Sequence, residues 1–163
     1  MSFAKKVLWG AAILGGIVWI DHHGDGLVAS ADTDNSPIPA AYKAHYDAAA
    51  GTCPHLDAAL LAAVGKIETD HGRARMPGVL SGANSAGAAG PMQFLPATFQ
   101  AVRRRHPDIG TGSQYDPQTA IKAAAHYLCD SGVAKGDIRG ALFAYNHSDK
   151  YVADVQAQAR AYR

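Results

Sequence analysis

Apolar residues recur at helical spacing in six stretches of the chain, and no stretch shows the two-residue alternation of a half-buried strand. The first stretch, about 40–50, is weak. The second opens at Pro54, a good first-turn residue, runs through a leucine- and alanine-rich segment to Ile67-Glu68-Thr69, and stops before Gly72. A third follows Pro96 and ends before Pro107. The fourth begins with Asp116-Pro117, a cap followed by a first-turn proline, and carries a stripe of Ile121, Ala124, Ala125, Leu128 and Cys129. A fifth starts near Asp137 and aligns Ile138, Leu142 and Tyr145. The last, about 148–162, aligns Tyr151, Val152, Val155 and Tyr162. The pattern predicts an all-α domain without internal repeats. A long irregular piece, about 73–90, separates the second and third helices. Its run from Gly82 to Gly90 has only small side chains, which let a ligand approach the backbone closely.

The N-terminus follows a different pattern. Lys5 and Lys6 precede fourteen uncharged, largely apolar residues from Val7 to Ile20. As a helix these would span roughly 21 Å, short of the roughly 30 Å hydrocarbon core. That length suits a signal-peptide core, with Ala29-Ser30-Ala31 as a cleavage site; an uncleaved, tilted anchor is the alternative. The expected organisation is therefore a signal peptide or membrane anchor over 1–31, a linker over 32–40 and a helical domain over 41–163. Either version places the domain outside the cytoplasmic membrane, secreted or anchored on its outer side, because the lysines stay inside.

Cysteine usage agrees with export. Cys53 and Cys129 have no CxxC spacing, and in an oxidising compartment such a pair forms one bridge, worth roughly 4 kcal/mol for so long a loop. Two buried free thiols are the alternative. The net charge of +1 and pI of about 7.9 offer no field for nucleic acid. Arg103-Arg104-Arg105 reads as a solvated basic face. The histidines show no HExxH-type spacing, so neither a catalytic metal nor another cofactor is expected.

One residue stands out chemically. Glu68 is the only glutamate in the chain, all other acids being aspartates. At about 100° per residue it falls between Leu61 and Val64, on the core-facing stripe of its helix. A carboxyl held there, away from water, keeps its proton to higher pH, as general acid catalysis of a glycosidic bond requires. The plain alternative is a surface glutamate at a helix end.

Four motifs in order carry a resemblance: Ile67-Glu68-Thr69, then Gly90-Pro91-Met92-Gln93-Phe94-Leu95-Pro96, then Tyr115-Asp116-Pro117, then Ala144-Tyr145-Asn146-His147-Ser148. Over about 53–155 the chain resembles the lytic transglycosylases, lysozyme-like enzymes that cleave peptidoglycan glycan strands, and most closely the B type of their membrane-bound group. The resemblance implies a lysozyme-like fold and a monomer acting on peptidoglycan. It casts Glu68 as the single catalytic acid, protonating the bond between N-acetylmuramic acid and N-acetylglucosamine. It implies that Met92, Gln93 and Phe94 line the substrate site, the Gln93 amide holding a sugar N-acetyl group. It makes Tyr145 the tyrosine that hydrogen-bonds the glutamate and Asn146 a sugar contact.

The chain also departs from the family. Phe99 and Lys150 stand where many members carry Trp, and the only tryptophans are Trp9 and Trp19 in the export segment. Sugar stacking would then fall to Phe94, Phe99, Tyr115, Tyr127 or Tyr151. Hydrolysis would need a second carboxylate across the site, for which Asp70, Asp116 and Asp149 are the candidates. A catalytically weak wall-binding module is the non-enzymatic alternative.

Overall fold

The computed structural model describes residues 37–163. The expected export segment, 1–31, and the start of the linker lie outside the described residues. Among the described residues there are six helices: α1 (Ala40–Ala49), α2 (Ala58–Thr69), α3 (Pro96–Arg105), α4 (Pro117–Ser131), α5 (Ile138–Asn146) and α6 (Asp149–Ala161). Short 3-10 turns, Pro107–Ile109 and Val133–Lys135, follow α3 and α4. No strand occurs among the described residues; the one bridge joins Ala89 and Phe94. The expected all-α fold is what the chain adopts. None of the described helices is long and apolar enough to cross a membrane.

Most helices begin where a side chain satisfies the orphan amides of the first turn. Asp57 accepts from Leu60 N, Asp116 from Thr119 N, Asp137 from Gly140 N and Ser148 from Tyr151 N. The second helix therefore starts four residues later than Pro54 suggested. Residues 54–56 form a turn instead, with His55 at φ 68° and Leu56 N bonded to Cys53 O. Cys53, just before that turn, is bridged to Cys129 near the end of α4 across 76 residues. The bridge ties the entrance of α2 to the far end of the longest helix.

Buried faces of α2, α4, α5 and α6 meet in one core containing Leu61, Val64, Ile121, Leu128, Leu142, Tyr145 and Val155. Every apolar stripe expected on α4 is buried except Cys129, which is partly covered. α2 packs mainly on α6, with α1 and α4 on its other sides. Gly65 lies within α2 despite its poor helix propensity because a Cβ there would sit 2.0 Å from the Tyr46 hydroxyl. The small residue lets α1 approach the helix that carries Glu68.

Candidate active site

The site is assembled at the C-terminal end of α2. The helix stops in a left-handed turn: Asp70 (φ 50°) and His71 (φ 56°) precede Gly72 (φ 77°), and the amides of Asp70 and His71 return to Lys66 O and Gly65 O. Two consecutive non-glycine residues in this region cost roughly 1–2 kcal/mol each, so the turn needs external support. Thr69 supplies part of it. Its buried hydroxyl accepts from Gly72 N at 2.9 Å and donates to Pro91 O at 2.7 Å. The residue beside Glu68 is thereby fastened to the turn that carries the second motif.

That turn, 89–94, is closed by reciprocal backbone bonds between Ala89 and Phe94, both 2.9 Å, and by Gln93 N to Gly90 O. Gly90 is obligatory: it has φ 79°, and a Cβ would stand 1.9 Å from Gln114 O. Gln93 is itself left-handed (φ 48°) and only 3% exposed. Its amide is taken up inside the protein. Nε2 donates to Gly90 O at 2.9 Å, and Oε1 accepts from Asn84 Nδ2 at 2.9 Å. Asn84 Oδ1 in turn accepts from Ala86 N and Ala88 N. The small-residue loop is thus folded around Asn84 and latched to Gln93.

Two tyrosines complete the arrangement. Tyr151, three residues into α6, donates its hydroxyl to Glu68 Oε1 at 2.9 Å. Tyr145 of α5 lies parallel to it, ring centroids 6.3 Å apart and planes at 5°, and donates to Met92 O at 2.9 Å. Burial, and then the neighbouring Glu68 charge, push both hydroxyls well above the usual tyrosine range. They stay protonated, and therefore remain donors, at any pH the protein meets. Glu68 is half-buried.

Several expectations change here. Glu68 is on the edge of the core and not within it: Leu61 and Val64 are fully enclosed, while the helix end carries the glutamate past the packed layer. Tyr151 donates to its carboxylate oxygen, while Tyr145 donates to the Met92 carbonyl and feels the Glu68 charge from nearby. Phe94 and Phe99 are buried against each other, with Phe94 also against Tyr127 and Tyr145, so neither presents a face to a sugar. Tyr151 is buried as well. Of the expected stacking residues, only Tyr115 and Tyr127 keep partial exposure, their hydroxyls bonded to Gly82 O and Ala144 O. Met92 is buried, leaving its backbone as the useful part. Asn146, last in α5, is half-buried, and its amide makes no hydrogen bond among the described residues.

Each candidate for a second carboxylate is committed elsewhere. Asp70 pairs with Lys66 (2.6 Å) and Arg73 (3.0 Å). Asp116 caps α4, and Asp149 pairs with Arg139. Asn84 and Thr69 were not foreseen as site residues. Asn84 was detectable only as the one amide in an otherwise featureless small-residue run.

A helix-end glutamate opposite a glycine-dependent backbone turn, with stacked tyrosines behind both, defines a lysozyme-like all-α domain. The chain belongs to the Transglycosylase SLT domain family, which it matches over residues 48–163. No curated protein matches the chain. Membership implies peptidoglycan lytic transglycosylase activity, with peptidoglycan as substrate and the cell wall as the place of action. The Cys53–Cys129 bridge fits an extracytoplasmic location.

Proposed function

We propose that Glu68 cleaves the β-1,4 bond between N-acetylmuramic acid and N-acetylglucosamine, acting first as acid and then as base. The observation that carries this reading is the hydrogen bond that the half-buried Glu68 accepts from the buried Tyr151. Every aspartate of the described residues is engaged by a cation or a helix cap. A half-buried carboxyl that accepts from a buried tyrosine is oriented, and reachable enough, to exchange a proton with a ligand.

In the proposed reaction the Glu68 carboxylic acid gives its proton to the glycosidic oxygen as the C1–O bond breaks. The muramoyl N-acetyl oxygen supports C1, and the Glu68 carboxylate then takes the proton from the C6 hydroxyl, whose oxygen bonds to C1. A 1,6-anhydro end results and no water is consumed, so one carboxylate suffices. Tyr151 aims Glu68. Gln93 shapes the 89–94 turn through its internal hydrogen bonds, so that the Met92 amide N–H is left for the sugar, and Asn146 supplies a free amide. Within the family we read the chain as a B-type member, as the Ile67-Glu68-Thr69 motif supports. It is exported through residues 1–31.

Incubation of the purified protein with glycan strands tests the reading. Anhydromuropeptides in the mass spectrum are expected. Reducing-end sugars would overturn it in favour of hydrolysis, and retention on sacculi without soluble product in favour of a binding module. Export with cleavage after Ala31 removes both tryptophans; indole emission from protein recovered outside the cell would contradict it.

A further inference from the structure

Two imidazoles lie face to face where α3 gives way to α4, in residues the site around Glu68 does not use. His106 ends α3, Asp108 lies in the following 3-10 turn, and His126 is in the middle of α4. The rings of His106 and His126 are 4.1 Å apart between centroids with planes at 22°. One ligand atom from each of His106, Asp108 and His126 can be chosen so that all three lie within 4.8 Å of one another. Each ring also rests on a carboxylate: His126 Nε2 is 2.9 Å from Asp108 Oδ2, and His106 Nε2 is 3.0 Å from Asp130 Oδ2.

Two imidazoles converging with a carboxylate form the donor set that zinc and its neighbours select. Calcium and magnesium require oxygen ligands instead. Side-chain exposures of 13% for His126, 24% for His106 and 55% for Asp108 leave the group reachable from solvent. We propose that His106, Asp108 and His126 bind a zinc-type divalent cation. Asp130 is the positioning residue. It accepts from His106 Nε2 and so leaves Nδ1 as the lone-pair nitrogen, as carboxylates behind metal-bound histidines do. The cation replaces the proton shared between His126 and Asp108, and water fills the remaining positions. Zinc–nitrogen bonds of about 2.0–2.1 Å draw the three ligand atoms together by side-chain rotation. The ion then staples the turn after α3 to the middle of α4.

Neighbouring cations define what the metal must displace. Lys122 is 3.1 Å from Asp108 Oδ2 and also donates to the Asp108 backbone carbonyl; Arg105 is 3.0 Å from Asp130 Oδ2. Lys122 competes with the metal for Asp108, whereas Arg105 only steadies Asp130. Residues 106, 108 and 126 follow no metal-binding motif, so only the packing of α3 on α4 brings them together.

The test uses the full chain carrying His22→Ala and His23→Ala, which removes the adjacent histidines of the N-terminal segment, after treatment with a chelator. Cobalt is followed by its visible ligand-field absorption and zinc by calorimetry and thermal unfolding. One equivalent of either ion is expected to bind, with an intense cobalt spectrum and a zinc-dependent rise in Tm. His126→Ala should lose both signals, and Asp130→Asn should weaken binding about tenfold. Lys122→Met should tighten it, a gain that misfolding does not produce. Absence of the cobalt absorption in the parent would overturn the proposal. So would equal zinc affinity in the parent, His106→Ala and His126→Ala, with circular dichroism showing all three folded.

Discussion

Two acids close α2, and the fold gives them opposite surroundings. Glu68 points toward α6 and meets the hydroxyl of Tyr151, with Tyr145 stacked behind it. Asp70 starts the left-handed turn and meets Lys66 and Arg73. Burial by itself would raise Asp70, but hydrogen bonds from those two cations outweigh it and hold the carboxyl below its usual range. Asp70 is therefore an anion at neutral pH. Glu68 is placed where its proton can be exchanged. Between them Thr69 anchors the helix end to Pro91, so the pair differ through what each faces and not through distance along the chain.

The comparison is broken most severely at Glu68. Glu68→Gln preserves shape and should lower glycan-strand turnover by about 10²–10⁴-fold, the usual contribution of a positioned acid–base group, with the unfolding midpoint unchanged within error. Asp70→Asn in the same assay should stay within a few-fold of the parent. Comparable losses in the two variants would remove the distinction.

A second test addresses the left-handed turn that Asp70 starts. His71 is buried, its Nδ1 3.0 Å from the Tyr46 hydroxyl and its Nε2 3.1 Å from the Tyr162 hydroxyl. Burial, with Arg73 adding to it, lowers the imidazole to about 4. The unfolded ring protonates near pH 6.5 while the folded ring does not. The protein should thus be stable above about pH 6.5 and lose on the order of 3 kcal/mol as the pH falls toward 4. Urea midpoints at both pH values read this directly. His71→Asn, which tolerates the left-handed backbone, should flatten the dependence while lowering stability at neutral pH.

Tyr151→Phe sharpens the comparison from the side of Glu68. Removing the donor withdraws support from the carboxylate form, so the alkaline limb of the activity profile should move to higher pH. Turnover should fall about tenfold, matching the roughly 1.5 kcal/mol of one hydrogen bond to a charged group. An unchanged profile would show that Tyr151 is packing only.

The smallest effect is expected at Asp70. Its ion pairs are about 40% exposed, so Asp70→Asn should cost less than about 1 kcal/mol and less again in high salt. The parent's advantage should be present above about pH 4 and disappear below it, because a depressed carboxyl loses its contribution as it protonates. Asn occupies the left-handed position as readily as Asp, which keeps the backbone out of the result.

Much of this architecture was legible along the chain. Asp116, Asp137 and Ser148 announced their helices because an N-cap is a local interaction between a side chain and an amide three residues on. Pro54 misled because it reads equally well as the first helical residue or as part of a preceding turn, and Asp57 competes for the cap. The resemblance marks Gln93 and Phe94 as substrate-site residues, and the structure places both in the 89–94 turn. Their burial was not legible, since exposure depends on what packs against the turn.

The exchange between Tyr145 and Tyr151 shows the limit most clearly. Both lie on apolar stripes of consecutive helices, and periodicity assigns each a face without fixing which hydroxyl meets Glu68. That choice depends on the rotation and offset of α5 and α6 against α2, which are set by packing of side chains distant in sequence. The sequence by itself determined the helical class, the helix caps and the singular glutamate, because these rest on contacts within a few residues. Only the tertiary structure decided which tyrosine serves Glu68, which amides are spent internally and which histidines meet, because those depend on how separate helices are docked.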